Sequence, residues 1–185
     1  KNRLLVGSNN TGLDVINFSN GGFEVTNYQK KLISKLIFNT YTDNDNVTWI
    51  VTNAGLNRLE NDKVTADHSK NGLLADGFFD ILEDHLGYFW LTNGVGIIRV
   101  RKQELNDFAK GNIQKISSAK MFGTADGMVV KECTGAAFSI KNKNGILLFP
   151  TLGGITYINP SKIPINNIKP IVDVQKLIVD NKKIN

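Results

Sequence analysis

One cysteine, two histidines, four prolines and no long apolar run set the outer limits on what this 185-residue chain can be. A lone Cys133 permits no internal disulfide and no cysteine-based metal framework, and it reads as a small buried apolar side chain. The longest apolar stretches, such as Gly145 to Pro150, suit strands and fall far short of the roughly twenty residues a membrane-spanning helix needs. Arginine is scarce, four residues against eighteen lysines, and there is no Arg-rich cluster or basic helix. The net charge of +5 therefore argues for a lysine-rich surface and not for a nucleic-acid-binding protein. Abundant lysine, asparagine and isoleucine point to AT-rich coding, and lysine on exposed strands also guards against edge-to-edge pairing. No initiator methionine or signal peptide is present, and Lys1-Asn2-Arg3 leads directly into a strand, so the start reads as cut from something longer. With 41% hydrophobic and 21% charged residues the composition is globular, not disordered.

What is present is a repeat. Four times a short strand-like run leads into a Gly-aliphatic step followed by alternating apolar residues. The copies are Leu5-Val6-Gly7-Ser8 into Gly12-Leu13, Trp49-Ile50-Val51-Thr52 into Gly55-Leu56, Trp90-Leu91-Thr92-Asn93 into Gly96-Ile97, and Leu148-Phe149-Pro150-Thr151 into Gly154-Ile155. The glycines lie 43, 41 and 58 residues apart. A period near forty with several short strands per period predicts β-propeller blades. The fold class expected is all-β, a partial propeller of three to four antiparallel blades, the first and last incomplete. Trp49, Gly55, Trp90, Gly96 and Gly154 are the repeat signature.

Within the third copy, Gly77 to Asp84, the turn His85-Leu86-Gly87 and Tyr88 to Thr92 read as a hairpin, with Gly96 to Val100 as the next strand. The second copy matches with Ile33 to Tyr41, the turn Asp43 to Asn46, Val47 to Thr52 and Gly55 to Leu59. The glycine after the second strand fits a position needing positive φ. Outer strands are expected near Phe23 to Tyr28, Lys63 to Ala66 and Ile113 to Phe122. The long interval carries a predicted helix over Lys102 to Lys110, with Leu105, Phe108 and Ala109 on one face and Gly111 as C-cap. The rest of its excess falls in the loop Thr124 to Gly135. Residues 1–160 read as the propeller. Residues 161–185 read as an exit segment marked by Pro160, Pro164 and Pro170, then the first strand and turn of a truncated second all-β domain in Ile171 to Asn181.

Little in the chain points to catalysis or a cofactor. Trp49 and Trp90 are read as packing between blades rather than as sugar platforms. Asp43-Asn44-Asp45-Asn46 begins like a calcium loop, but Thr48 and Ala54 stand where glycine and glutamate are required, so a solvated β-turn is expected. His68 and His85 lack partners at ligand spacing, so no metal site is assigned. Asp126, Glu132 and Cys133 share one loop, yet no histidine accompanies the thiol and the carboxylates have no opposite number; a loop sealing the last blade is the reading. The sequons at Asn9, Asn17 and Asn46 are chance in so asparagine-rich a chain.

The order and spacing of these segments resemble the two-component-regulator propeller, the sensor module of bacterial hybrid histidine kinases and related membrane signalling proteins. Ile81-Leu82-Glu83-Asp84, Gly87, Trp90-Leu91-Thr92 and Gly96-Ile97 carry the resemblance best. Phe122 to Met128, Glu132 to Gly135 and Phe149 to Gly154 look like the last blade of such propellers. Ile163 to Asn181 looks like the entry into the immunoglobulin-like domain that follows. Leu5 and Leu148 depart from the usual tryptophan. The resemblance implies a periplasmic sensor fragment of an inner-membrane protein, with a kinase, cyclase or DNA-binding output elsewhere. It implies a small solute as ligand, an oligosaccharide in the Bacteroidetes relatives, and a homodimer in the full-length protein. A structural or dimerisation scaffold is the alternative, and a glycoside-cleaving enzyme a third. No cofactor and no catalytic residue is assigned. Missing N-terminal blades would leave an open arc that self-associates.

Overall fold

The computed structural model describes residues 3–163 together with the backbone of residues 177–179 and 182–184. Four antiparallel sheets follow one another in chain order. The first holds β1 (Arg3–Gly7), β2 (Leu13–Ser19) and β3 (Gly22–Asn27). The second holds β4 (Ile37–Thr42), β5 (Thr48–Thr52), β6 (Gly55–Glu60) and β7 (Lys63–Asp67). The third is built from β8 (Asp80–Glu83), β9 (Tyr88–Asn93), β10 (Gly96–Arg101) and β11 (Lys120–Phe122), with helix α1 (Lys102–Lys110) between its last two strands. The fourth comprises β12 (Ile140–Lys141), β13 (Leu147–Thr151) and β14 (Gly154–Ile158). This is the all-β, blade-like architecture that the repeat predicts. A further pair, β15 (Leu177–Val179) with β16 (Lys182–Ile184), is antiparallel. The exit segment and second-domain reading otherwise fall on 164–176 and 180–181, outside the described residues.

Alternation along each strand sends successive side chains to opposite faces, and successive sheets pack face to face. Ile50 and Leu59 of the second sheet meet Leu13 and Val15 of the first. Trp49, Val51 and Leu56 meet Phe89, Leu91 and Ile98 of the third, sealed by Leu105 of the helix. Trp90 and Ile97 of the third then meet Leu147 and Phe149 of the fourth. Each tryptophan lies in the second strand of its sheet and points at the C-terminal neighbour. The Trp49 ring stands edge-on to Phe89 at 4.8 Å, and the Trp90 ring is 6.2 Å from Phe149. Both tryptophans are fully buried.

Helix α1 spans the predicted residues. It ends at Gly111, which is left-handed at φ 78° and caps the last turn. Three strand predictions need correction. Only Lys120–Phe122 of the expected outer strand Ile113 to Phe122 pairs with β10, because the residues before it cover the helix: Glu104 accepts from Ser117 and Ser118, and Ile116 is buried in the core. The strand expected from Ile33 starts at Ile37, since Ile33 N–H donates to Asn57 Oδ1 and Leu36 N–H to Ser34 Oγ instead of to a ladder. Likewise Phe78 N–H donates to Thr52 O of the second sheet while Phe79 N–H donates to Thr92 O of β9, so the chain crosses from one sheet to the next here and β8 begins only at Asp80.

The signature glycines open the third strand of each sheet. Gly55, Gly96 and Gly154 have φ of 152°, 153° and 125°, where a β-carbon is strained. At two of them space forbids it as well: an added β-carbon would lie 2.6 Å from the Asp67 carbonyl oxygen at Gly55 and 2.5 Å from that of Phe122 at Gly96. Around Gly154 nothing lies within 4 Å. The alanine variant of Gly154 should therefore lose the backbone penalty alone, about 1–3 kcal/mol. Gly55→Ala and Gly96→Ala should each lose clearly more in urea denaturation. Equal losses at all three positions would mean that the approach of the outer strand does not matter.

Candidate functional site

The polar groups of the fold collect along the first strands and the turns that follow them. Asp43 opens the turn between β4 and β5, and it is buried rather than solvated as expected from the sequence. Its Oδ1 accepts from the backbone N–H of Asp45 and Val47, and its Oδ2 accepts from Trp49 Nε1 at 3.0 Å. Asp84 repeats this between β8 and β9, accepting from Leu86 N, Tyr88 N and Trp90 Nε1, the last at 2.8 Å. In the fourth sheet Asn142 accepts the two backbone bonds from Asn144 and Ile146, and Leu148 stands in the tryptophan position. A leucine side chain has no N–H to offer, so the second carboxylate oxygen has no task there, and an amide suffices.

A second layer ties sheets together. Asp80 of β8 accepts from Asn39 of β4 and from the backbone N–H of Ser139, linking the second and third sheets and the segment that enters β12 at one buried carboxylate. Tyr41 donates its hydroxyl to Glu83 Oε2 at 2.7 Å across the second and third sheets. Lys102, the first residue of α1, sets its ammonium 2.8 Å from Glu83 Oε1, 3.5 Å from Asp43 Oδ2 and 3.8 Å from Asp45 Oδ2. Burial pulls its pKa down, but the hydrogen bond to Glu83 and the charges of Glu83 and Asp43 outweigh that, and the net shift is upward. Burial, then the bond to Glu83, likewise push the Tyr41 phenol well above its ordinary value. These carboxylates are all committed to bonds inside the fold. Among the described residues no group of three His, Cys, Asp or Glu side chains is placed to hold a metal ion.

The loop Thr124 to Gly135 works as packing. Cys133 sits in the core between the third and fourth sheets, its N–H donates to Asn93 O, and burial raises its thiol to about 11. Leu152 N–H donates to Glu132 O and Thr134 N–H to Pro150 O, so this loop stitches the turn of the third sheet to that of the fourth. Asp126 accepts from Gly123 N within its own turn. His85 meets Ser161 at 2.9 Å, and His68 sits at the start of a single 3-10 turn. Trp49, Gly55, Trp90 and Gly96 thus lie in the packed interior and Gly154 on an exposed edge, and the five do not converge on a site.

A groove of about 580 Å³ opens between β11 and β14. Phe122, Met128 and Tyr157 supply apolar surface, and Lys120, Asp126 and Asn159 supply polar groups. Tyr157 is 73% exposed, so its ring is available to a ligand. No spacing signal in the sequence marks this groove, because its walls come from two different sheets.

Lys102 is the cation on which three carboxylates of two sheets depend. Lys102→Met should lower stability by about 2 kcal/mol, the scale of a lost bond to a charged group. Its raised pKa gives a contribution that is fully present below the unfolded value of 10.5 and is lost as pH climbs through the higher folded value. The gap between wild type and variant should therefore close only in strongly alkaline solution. An unchanged melting temperature at pH 7 would show the cluster to be dispensable.

No family model and no curated protein matches the sequence. Solved structures do. The chain aligns over 99% of its length with the extracellular domain of the hybrid two component system BT3049 from B. thetaiotaomicron, at TM-score 0.70 and 19% identity, covering 25% of that chain. It aligns over 86% with the extracellular domain of the one component system BT4673 from the same organism, at TM-score 0.66 and 21% identity, covering 22%. PorZ, a surface component of the type-IX secretion system of Porphyromonas gingivalis, matches over 81% at TM-score 0.56 and 15% identity, covering 22%. The chain spans about a quarter of the length of these structures. It has the fold of that part of the extracellular domains of two component systems, in keeping with the sequence resemblance to the two-component-regulator propeller.

Proposed function

We propose that the chain is part of the extracytoplasmic sensor region of a two-component-type bacterial signalling protein and that it takes part in detecting a small solute, an oligosaccharide or related sugar. The observation that carries this reading is the fold likeness, which runs through 99% of the chain to the extracellular domain of such a system. In this reading residues 161–185 lead toward an immunoglobulin-like domain, further blades precede Lys1, and the output module, a histidine kinase among the candidates, lies elsewhere in a homodimeric protein. The chain itself has no catalytic role in it. The absence of a membrane-length helix among the described residues agrees with an extracytoplasmic segment without requiring one.

The groove between β11 and β14 is the candidate seat for the solute. An exposed tyrosine face beside Asn159 and Asp126 offers the stacking surface and convergent polar groups that sugars need. A glycan-array screen followed by calorimetry should find binding that Tyr157→Ala weakens at least tenfold. Binding untouched by that variant would move the site elsewhere, and no binding to any glycan would sink the sensor reading for this region. The scaffold reading then gains, and one feature already favours it: Leu152 and Ile155 at 74% exposure and Val129 at 90% are apolar side chains left open to association.

A further inference from the structure

Strand β7 ends at Asp67, in the contact between the second and third sheets. The pairings Leu56 with Asp67 and Arg58 with Thr65 place these four side chains on one face of the sheet. Leu56 packs there with Leu73, Phe78, Leu105 and Ile116. Asp67 is completely buried, and neither of its carboxylate oxygens has a hydrogen-bond partner among the described residues. The next blade shows that the architecture does not call for a carboxylate at this place. Leu56 pairs with Asp67 as Ile97 pairs with Phe122, and Phe122 lies 5.3 Å from the Trp90 ring. One blade fills the position with an aromatic ring; its neighbour fills it with an acid.

Of the charged groups on the surrounding elements, Arg58 is the one whose field acts on Asp67. On β6, Arg58 is the nearby cation, but its guanidinium donates to Asn106 Oδ1 at 2.8 Å and pairs with Glu60 at 3.1 Å. On α1, Lys102 belongs to Glu83 and Asp43, Glu104 to Ser117 and Ser118, and Asp107 to Gln103 and Asn112. After β7 come His68 and Lys70, and Asp76 accepts from Ser69 N. The third sheet contributes Phe89, Leu91, Ile98 and Val100, none of them charged. An ionised Asp67 would thus sit in an apolar contact with only the field of Arg58 to offset its lost hydration.

We propose that Asp67 makes the contact between the second and third sheets proton-dependent: the neutral carboxyl is the form this interface accepts, and its ionisation loosens the contact. Burial raises the acid to about 7 against the opposing pull of Arg58, so the window of change runs from the ordinary value of 3.8 up to neutrality. The folded chain keeps a proton that the unfolded chain, at the usual value of 3.8, has already lost. Stability therefore falls as pH rises through that window and levels off above it, by up to about tenfold in the folding constant per pH unit. The inference stands apart from the sensor reading, since it concerns an interface inside the fold.

Urea denaturation of the 185-residue chain and of Asp67→Asn between pH 5 and 8 tests it. Both proteins keep His68 and His85, so the difference between their profiles isolates Asp67. The wild-type folding constant should fall relative to that of the variant from pH 5 to about 7 and then level off, and Asp67→Asn should be the more stable protein at pH 8. Parallel profiles would overturn the proposal. If the variant does not fold, the carboxyl-carbon NMR shift of Asp67 in the wild-type protein decides: titration near neutrality supports it, and titration in the ordinary aspartate range overturns it.

Discussion

The hydrogen bond from a tryptophan indole to an aspartate six residues earlier holds together three levels of this structure. At the first level the aspartate builds the turn, because its other oxygen collects two backbone N–H groups that the turn would otherwise leave unpaired. At the second level it satisfies the one polar atom of a side chain that must otherwise be wholly apolar to be buried. At the third it fixes the ring against the next sheet, where Phe89 or Phe149 receives it. Turn, strand and inter-sheet contact are thereby one unit, and repeating the unit extends the fold by one sheet.

The fourth sheet shows what happens when one member changes. Leu148 replaces tryptophan, Asn142 replaces aspartate, and Tyr157 stands where Arg58 and Arg99 stack on their tryptophans. All three substitutions lie on or behind the face that has no neighbour among the described residues, and Tyr157 is accordingly exposed. Gly154 tells the same story from the backbone, because the carbonyl that crowds Gly55 and Gly96 is absent beside it. Sequence changes that look independent follow one physical fact: each residue in the unit is needed only while its contact exists.

Much of this was legible in the sequence, and the reason is the repetition itself. Tryptophan and glycine at fixed spacing located the second and third strands, and the 3.6-residue pattern of Leu105, Phe108 and Ala109 located the helix with its Gly111 cap. Where strands yield to side-chain bonds, the pattern misleads: Ile33 to Leu36 and Ile113 to Ala119 carry strand-like apolar residues, yet pair with Asn57 and Glu104 instead of a ladder. Asp43 reads as solvated from the sequence because the acid-rich string Asp43 to Asn46 looks like a surface loop. The available signal was the spacing, aspartate six residues before tryptophan in two copies, with asparagine six before leucine in another. Asp67 and the groove had no such signal. The acid has no counterpart in the next blade, and the groove joins residues from two sheets.

The coupling between Asp84 and Trp90 joins turn, strand and inter-sheet contact, and a double-mutant cycle measures it directly. In the wild-type background Asp84→Asn turns an amide toward the indole N–H, and it should cost about 1–3 kcal/mol, the scale of a buried unsatisfied donor. In the Trp90→Leu background the pair becomes the asparagine–leucine pair that the fourth sheet already uses, and the same change should cost close to nothing. Equal costs in the two backgrounds would show that the aspartate serves its turn alone and that the unit described here does not exist.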